Sequence, residues 1–499
     1  MKGNKCFKTK LVLLGISGVL FLSLTILSLC VDYQYELLKE HIRFRKGFVS
    51  QLNWVDSPYG RLKMYLFNVT NAEAFLAGND SRIHVQEVGP IVYSIIGHNE
   101  ILNQTEDTIT YLKKRYEHVE FMPDESCAPD ILNQTIVLPN MVLLGAAAKL
   151  HDWVFLVRHA FNAITINESV FLTKSVYYFL WDFTVPALSL MSQYLPNIVS
   201  NCGLLYNALR QKTEIYKVRI GTKNGFENFF RVEELNGKTY FNERRANFLH
   251  PDPKEDCPIT VENAFDNSLF PPMLQKDADI NIVAVETCRT MKMYYDGPAE
   301  HMGLKGYRYL LGDRNERPSC MDNSMGIKLH KGMYDVAKCL INDVPSAFSL
   351  PHFYGSSYNY SEHYVGFAPD PEKHQPSITV EPLTGIPIDE SYRFQSNIPM
   401  PDMKGYSQDL QKLSNMVIPN FWYEFNLDEY PARISITLNL NIKYAPILQP
   451  IFIALFLFIS LVSFLKLYLL IKQQTFKEFF CKYYGLIREL RQKKLSPTP

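Results

Sequence analysis

Nine cysteines pose the first chemical question. Six of them, Cys127, Cys202, Cys257, Cys288, Cys320 and Cys339, fall between two long apolar stretches. The last four crowd together, which reads as a disulfide framework formed in an oxidising compartment. No Cys-x-x-Cys pair occurs, so a zinc ribbon is not indicated. Spacing alone does not choose among the connectivities of four cysteines. Cys6 and Cys481 lie near the outer ends of the apolar stretches and are palmitoylation candidates, though plain thiols fit them equally.

Other reactive arrangements are missing. The 12 histidines are scattered, and no GxSxG elbow, HExxH, P-loop or dinucleotide fingerprint occurs. A non-enzyme is expected, without cofactor, metal or nucleic-acid partner. Six Asn-x-Ser/Thr sequons remain: Asn68, Asn79, Asn103, Asn133, Asn167 and Asn359. Each is a weak motif, but all lie between the apolar stretches, and acceptors of N-glycans mark the surface of a secretory-pathway domain. Near the carboxy terminus, Tyr483, Tyr484, Leu486 and Ile487 form two overlapping Tyr-x-x-apolar patterns that suit a sorting signal. A basic helix lying on anionic lipid explains them as well.

The elements that must position these groups begin with the apolar stretches. Residues 11–31 and 444–465 carry no charge. At ~1.5 Å per residue each reaches roughly 30 Å, the thickness of a hydrocarbon core. Lys2, Lys5, Lys8 and Lys10 precede the first without an acid. Lys466, Lys472, Lys477, Lys482, Arg488, Arg491, Lys493 and Lys494 follow the second, against Glu478 and Glu489. The chain is neutral overall, so the middle carries the compensating negative charge. Positive flanks stay cytosolic. The expected order is a cytosolic segment 1–10, a span 11–31, an exoplasmic domain 32–443, a span 444–465 and a basic cytosolic tail 466–499. The first span exceeds a signal-peptide core, and no small-residue cleavage pattern follows Cys30, so it reads as an uncleaved anchor. Neither span holds an ionisable residue to line a pore, which disfavours a channel.

Within the middle, strand signals dominate both flanks. Residues 434–442 read I-S-I-T-L-N-L-N-I, a strict alternation that predicts a half-buried strand leading into the second span. Residues 61–69 predict another, with Leu62, Met64 and Leu66 on one face. Asn224-Gly225 and Asn236-Gly237 mark turns. Residues 140–210 differ. Leu150, Val154, Val157, Phe161 and Ile164 follow helical spacing, Val176, Phe179 and Leu180 suggest a second helix, and 204–209 a third. Pro186 and Pro196 break the pattern between them. In the plain reading these stripes pack on one another. In the sharper one the insert is a cap whose exposed edge meets a ligand. One α+β unit is expected, a mainly antiparallel β body with a helical insert.

Motifs along the middle carry a resemblance. They are EVGPIVY (87–93), LWDF (180–183), FPPML (270–274), ETCRTM (286–291), SLPHFYGSS (349–357) and VEPLTGIPI (380–388). In this order, between two spans with basic outer flanks, they are similar to the class B scavenger receptors, the family of fatty acid translocase and the lysosomal integral membrane protein. FNVTNAEAF (67–75) leans toward the lysosomal branch. The resemblance implies an antiparallel β-barrel-like body, a helical apex within about 140–210 and an internal apolar tunnel. It implies disulfides Cys257–Cys320 and Cys288–Cys339, each worth roughly 4 kcal/mol in the loop-closure account. The short-range pair that many relatives place between Cys320 and Cys339 is missing. Cys127 and Cys202 are additional, either paired together or buried and free.

The function implied is a receptor that binds lipids, lipoproteins or other lipid-bearing particles at its apex and passes hydrophobic cargo through the tunnel to the membrane. Endocytosis and a plasma-membrane site accompany it; a lysosomal or late endosomal membrane is the alternative. Candidate apex contacts are Lys149, His151, Arg158, His159 and Lys174, each also readable as a solvated charge. Glu168 stands where fatty acid translocase carries lysine, so recognition of oxidised lipoprotein does not transfer. Two rivals keep the same fold: an adhesive or phagocytic receptor that moves no lipid, and a lysosomal sorting receptor for a soluble hydrolase. A homo-oligomer stays open.

Overall fold

A computed structural model describes the chain except residues 1, 43, 45, 47–50, 52–53, 56–59, 186–199, 211–213, 222–224, 242–258, 313–326, 328, 338–343, 428–435, 437 and 495–499. It divides into a terminal unit, Met1–His41 with Ala432–Pro499, and a larger unit, Ile42–Pro431.

In the terminal unit two long helices pack on each other, Lys2–Cys30 and Ala445–Lys494. Phe7–Cys30 and Ile442–Glu489 are long and apolar enough to cross a bilayer. Small residues allow the close approach: a Cβ on Gly18 would lie 2.8 Å from the Phe464 ring. Ser460 Oγ donates to Gly18 O at 2.9 Å, and Ser17 and Ser463 hydroxyls meet at 3.2 Å. Gln449 donates to Ser28 O and Val31 O. With their outward leucines exposed, these helices make the chain a two-span membrane protein.

The strand expected at 434–442 is not found. Ile436, Leu438 and Asn439 are helical, and Leu440–Tyr444 form a π-helical turn running into the carboxy-terminal helix; the rest lies outside the described residues. A strand needs a neighbour for its N–H and C=O groups, whereas a helix beside a membrane span satisfies its own. The carboxy-terminal helix also runs past the expected span, through the basic segment to Lys494.

The larger unit is built on strands β1 (Gly60–Val69), β2 (Ile83–Gln104), β3 (Thr108–Phe121), β4 (Thr135–Pro139), β5 (Phe171–Ser175), β6 (Glu214–Arg219), β7 (Val232–Leu235), β8 (Tyr240–Phe241), β9 (Ile259–Thr260), β10 (Ile280–Ala284), β11 (Arg289–His301), β12 (Leu304–Leu311), β13 (Met333–Asp335), β14 (Ala347–Ser349), β15 (Tyr364–Val365), β16 (Ser377–Val380), β17 (Pro387–Pro399) and β18 (Val417–Leu427). The main sheet runs β10-β11-β12-β16-β17-β18-β1-β2-β3-β6-β7; β14 joins at β17, carrying β13, and β15 joins at β2. β4–β5 and β8–β9 form separate pairs. Along the main path every neighbouring pair is antiparallel.

The strand order is open, so the expected barrel does not close. Among the described residues, Phe265 lies between the edge strands β10 and β7, making isolated bridges with Ile282 and with Arg231 beside β7. The Phe265 N–H donates to Asn281 O, and Phe265 O accepts from Val283 N. An internal tunnel is not shown either.

Alternation behaves as expected elsewhere. β1 buries Leu62, Met64 and Leu66, while Arg61 and Lys63 on its other face pair with Glu125 and Glu424. Asn236 and Gly237 both hold positive φ at the end of β7, as their turn requires.

The motifs serve as seams. Phe270 N donates to Gly385 O, and Leu274 N to Pro382 O, so FPPML docks on the VEPLTG turn. Trp181 of LWDF donates to the Tyr93 hydroxyl of EVGPIVY at 3.0 Å. Cys288 is disulfide-bonded; Cys257, Cys320 and Cys339 lie outside the described residues. Cys127 and Cys202 are free, the first exposed and the second half-buried, with burial pushing its thiol up to about 11.

Candidate functional site

The helical insert supplies the most exposed apolar surface of the larger unit. Its first helix, Met141–Lys149, starts at Asn140, whose Oδ1 accepts from Leu143 N at 3.2 Å. Asn140 Nδ2 donates to Ser169 O, tying in the far end of the insert. Leu144, Ala147 and Ala148 are fully buried. The small side chains let the helix sit close, and a Cβ on Gly145 would lie 2.6 Å from Val344.

One continuous helix through Leu150–Ile164 is not formed. The chain turns after Leu150, and a second helix begins at Phe155 and ends at Ile164 with no buried residue. Its inner face is tethered. Arg158 Nη1 donates to Lys404 O at 2.9 Å, and Asn162 Nδ2 to Gly405 O at 3.0 Å. Phe161 packs edge-on against Tyr406, whose hydroxyl donates to Leu150 O. The outer face is bare: Val154 is 71%, Phe155 70%, Leu156 77%, Ile164 69% and Ile166 79% exposed. These exposed apolar side chains cluster at the two ends of one short helix; large exposed apolar patches are typical of interaction surfaces. The helical spacing was legible in the sequence, but the stripe is divided: Leu150, Val157 and Phe161 are half-buried, while Val154 and Ile164 are exposed. The helices Val176–Trp181 and Leu204–Arg210 form where expected, and Val176, Phe179 and Leu180 are buried.

The five candidate apex cations do not share one element. Lys149 closes the first helix. His151 lies in the turn, Nδ1 2.7 Å from Ala148 O and Nε2 3.0 Å from Asp152. Arg158 faces the body and stacks on Tyr406. His159 is exposed, its ring 4.0 Å from that of Phe155. Lys174 is exposed on β5, over the Tyr178 ring. Of the five, His159 sets its ring against Phe155 of the bare apolar run.

Among the sequons, Asn79, Asn103, Asn133, Asn167 and Asn359 are exposed, whereas Asn68 is half-buried and its Oδ1 accepts from Val137 N at 2.8 Å. In the terminal unit Cys481, Tyr483, Tyr484 and Leu486 are exposed, Ile487 half-buried, and Cys6 lies within the amino-terminal helix.

Two polar systems lie inside the larger unit, and sequence reading missed both. In one, Glu87 Oε2 accepts from Trp422 Nε1 at 2.6 Å and lies 2.7 Å from His352 Nε2. His352 stacks on His374 at 4.5 Å. Burial and the neighbouring His352 push His374 down to about 4. In the other, Lys113 donates to Asp266 at 3.1 Å, and Arg115 to Glu214 and Glu286, each at 3.0 Å. Burial raises the Asp266 carboxyl, but Lys113 and hydrogen bonds from Ser268 and Tyr111 outweigh it and leave it below the usual range. Glu214, buried beside Arg115, is pushed up. Alternating polar residues on β3 and β6 were the available signal, hidden because charged residues on a strand ordinarily read as its solvent face.

Among the described residues no group of three His, Cys, Asp or Glu side chains is placed to hold a metal.

The profile of the CD36 family matches residues 13–470. The scavenger receptor class B member 1 of Bos taurus is 25% identical over 430 residues, covering 82% of this chain and 79% of that protein. Its counterpart from Rattus norvegicus is 26% identical over 424 residues, with the same coverage. The lysosome membrane protein 2 of Homo sapiens is 26% identical over 415 residues, 79% of this chain and 81% of that protein.

Proposed function

Because this chain belongs to the CD36 family, we propose that it is a class B receptor whose larger unit lies outside the cytosol. It engages lipid or lipid-bearing particles through the helical insert and conducts hydrophobic cargo through the larger unit's interior to the membrane. No catalytic step is involved. The observation that carries this reading is the bare run Val154, Phe155, Leu156, Ile164 and Ile166, held outward by a tethered inner face. Apolar side chains gain roughly 1.5–3 kcal/mol each on leaving water, so several of them exposed together favour a greasy partner. Each CH₂ of a cargo chain contributes ~0.8 kcal/mol on the same terms, so partitioning can drive descent without an energy source. The proposed address is the plasma membrane, with a lysosomal membrane as the alternative that the second set of relatives suggests.

The test is uptake of labelled lipid in cells that lack the protein, comparing the full chain with a Phe155→Asp, Leu156→Asp variant delivered to the same membrane. Uptake is expected only with the unaltered insert. Equal uptake by both, or none above untransfected cells, overturns the reading.

A further inference from the structure

The carboxy-terminal helix is too long for the bilayer alone. Ala445–Lys494 has 50 residues, which at ~1.5 Å each is more than twice a hydrocarbon core of roughly 30 Å. Its second half therefore continues past the span, into the segment that holds Lys472, Lys477, Lys482 and Arg488. That segment is not polar all round. Phe476, Phe479, Phe480, Tyr483, Tyr484 and Leu486 are exposed, and Ile487 is half-buried. At about 100° per residue these positions fall within an arc of roughly 160°. Neighbours along it touch: the Phe476 and Phe480 rings lie 4.9 Å apart, and Phe479 stacks on Tyr483 at 6.4 Å. The charges are ordered around the same arc. Lys477 and Arg488 stand at one border and Lys482 at the other, while Glu478 and Glu489 occupy the opposite side.

We propose that this face lies on the anionic leaflet beside the span, as an interfacial helix. Three observations favour that occupant. The face belongs to the same helix as the span, so the bilayer surface is held beside it at high effective concentration. Its bordering cations meet a negative surface, and its two acids point away from it, which is the arrangement of a membrane-surface helix. The arc is also wider than the narrow seam that a second copy would cover in a coiled coil. Tyr483 and Tyr484 add amphipathic rings suited to the headgroup level. The junction with the span precedes Phe476. There the Thr475 hydroxyl donates to Ile471 O at 2.9 Å, a back-bond that often bends helices. Docking covers both Tyr-x-x-apolar patterns, so one set of side chains serves either lipid or a soluble sorting partner at a time.

The test places a tryptophan on each side of this helix. The full chain is reconstituted in vesicles of brominated phosphatidylcholine with about 30% phosphatidylserine, an anionic surface. Phe480→Trp adds a fluorophore on the apolar arc. Gly485→Trp adds one about 140° away, where a Cβ meets nothing within 4 Å. Emission is compared with matched unbrominated vesicles after subtracting the unaltered chain, which has four tryptophans of its own. Quenching at 480 is expected to exceed that at 485 at least about threefold. Removing phosphatidylserine, or adding Lys477→Gln, Lys482→Gln and Arg488→Gln to the Phe480→Trp chain, should abolish most of that excess. Equal quenching at the two positions, or none at 480, overturns the proposal. If emission at 480 instead follows the protein-to-lipid ratio, a second copy covers the face and the proposal is likewise overturned. Quenching that survives both the neutral lipid and the triple substitution removes the anionic leaflet as the occupant.

Discussion

Glu87 and His352, 265 residues apart, meet at 2.7 Å between Oε2 and Nε2. Ala368 N donates to His352 Nδ1 at 3.0 Å, so the ring proton sits on Nε2 and is donated to the carboxylate. Trp422 donates to the same oxygen, and its indole lies flat on Tyr65, ring centres 3.8 Å apart. EVGPIVY and SLPHFYGSS are therefore two halves of one joint, in which His352 and Trp422 are buried and the Glu87 side chain is a third exposed. Glu87→Gln puts an amide where a single oxygen now accepts two hydrogen bonds. Unfolding followed by tryptophan fluorescence should show a loss of about 2–3 kcal/mol. His352→Ala should cost at least as much, because His352 also holds φ 54°, where alanine is strained. A loss below about 0.5 kcal/mol for both would mean the joint carries no stability.

The same joint sets a pH dependence. His374 titrates near 4 in the fold against 6.5 as an ordinary imidazole. The unfolded chain therefore binds a proton there at a pH where the folded chain does not. Its contribution is complete above about 6.5 and shrinks as pH falls toward 4, by no more than about 3 kcal/mol. Burial raises Glu87, but hydrogen bonds from His352 and Trp422 outweigh it and leave its folded pKa depressed. Its contribution is present above the ordinary carboxyl value and lost below that, as pH falls through the folded one. The melting temperature should decline from pH 7 to pH 4.5, and His374→Phe should flatten the upper part of that decline. A melting temperature that rises on acidification contradicts the assignment.

Glycan occupancy should follow exposure. Asn79, Asn103, Asn133, Asn167 and Asn359 are open, whereas Asn68 spends its side-chain oxygen on Val137 N between β1 and β4. Converting each Asn to Gln in turn and comparing mobility before and after glycosidase should show a shift for those five and none for Asn68. A glycan on Asn68 would require that bond to form only after modification.

The same contrast explains what the sequence made legible. Two terminal spans, β1 and the helices at 176–181 and 204–210 follow from local periodicity, and periodicity survives folding wherever one face meets the core. The stretch at 434–442 alternates as strictly as β1 yet is helical where described, because no local pattern records whether a neighbouring strand will be present. The motifs were visible as words, but the sentence they form is spatial. Gly385 illustrates this. It holds φ 73° with Phe270 O 2.0 Å from where a Cβ would sit, a close approach fixed by a residue 115 positions away. Gly385→Ala should fail to yield folded protein, read as loss of the cooperative melt, whereas Gly237→Ala, with open space around its Cβ, should cost only about 1 kcal/mol for its positive φ.

The second insert helix separates holding from displaying, and its two faces should respond differently. Phe161→Ala strips the ring from Tyr406, and Arg158→Ala leaves Lys404 O without its donor, so each should lower stability by about 1–2 kcal/mol. Phe155→Ser and Leu156→Ser remove apolar groups that touch mostly water, so melting should move by less than about 0.5 kcal/mol. If the bare face is where a lipid surface docks, the latter pair should weaken binding of the full chain to neutral-lipid vesicles about tenfold or more, since two apolar side chains no longer leave water. A drop in stability without a change in vesicle binding would reassign Phe155 and Leu156 to packing and leave the insert without a docking face.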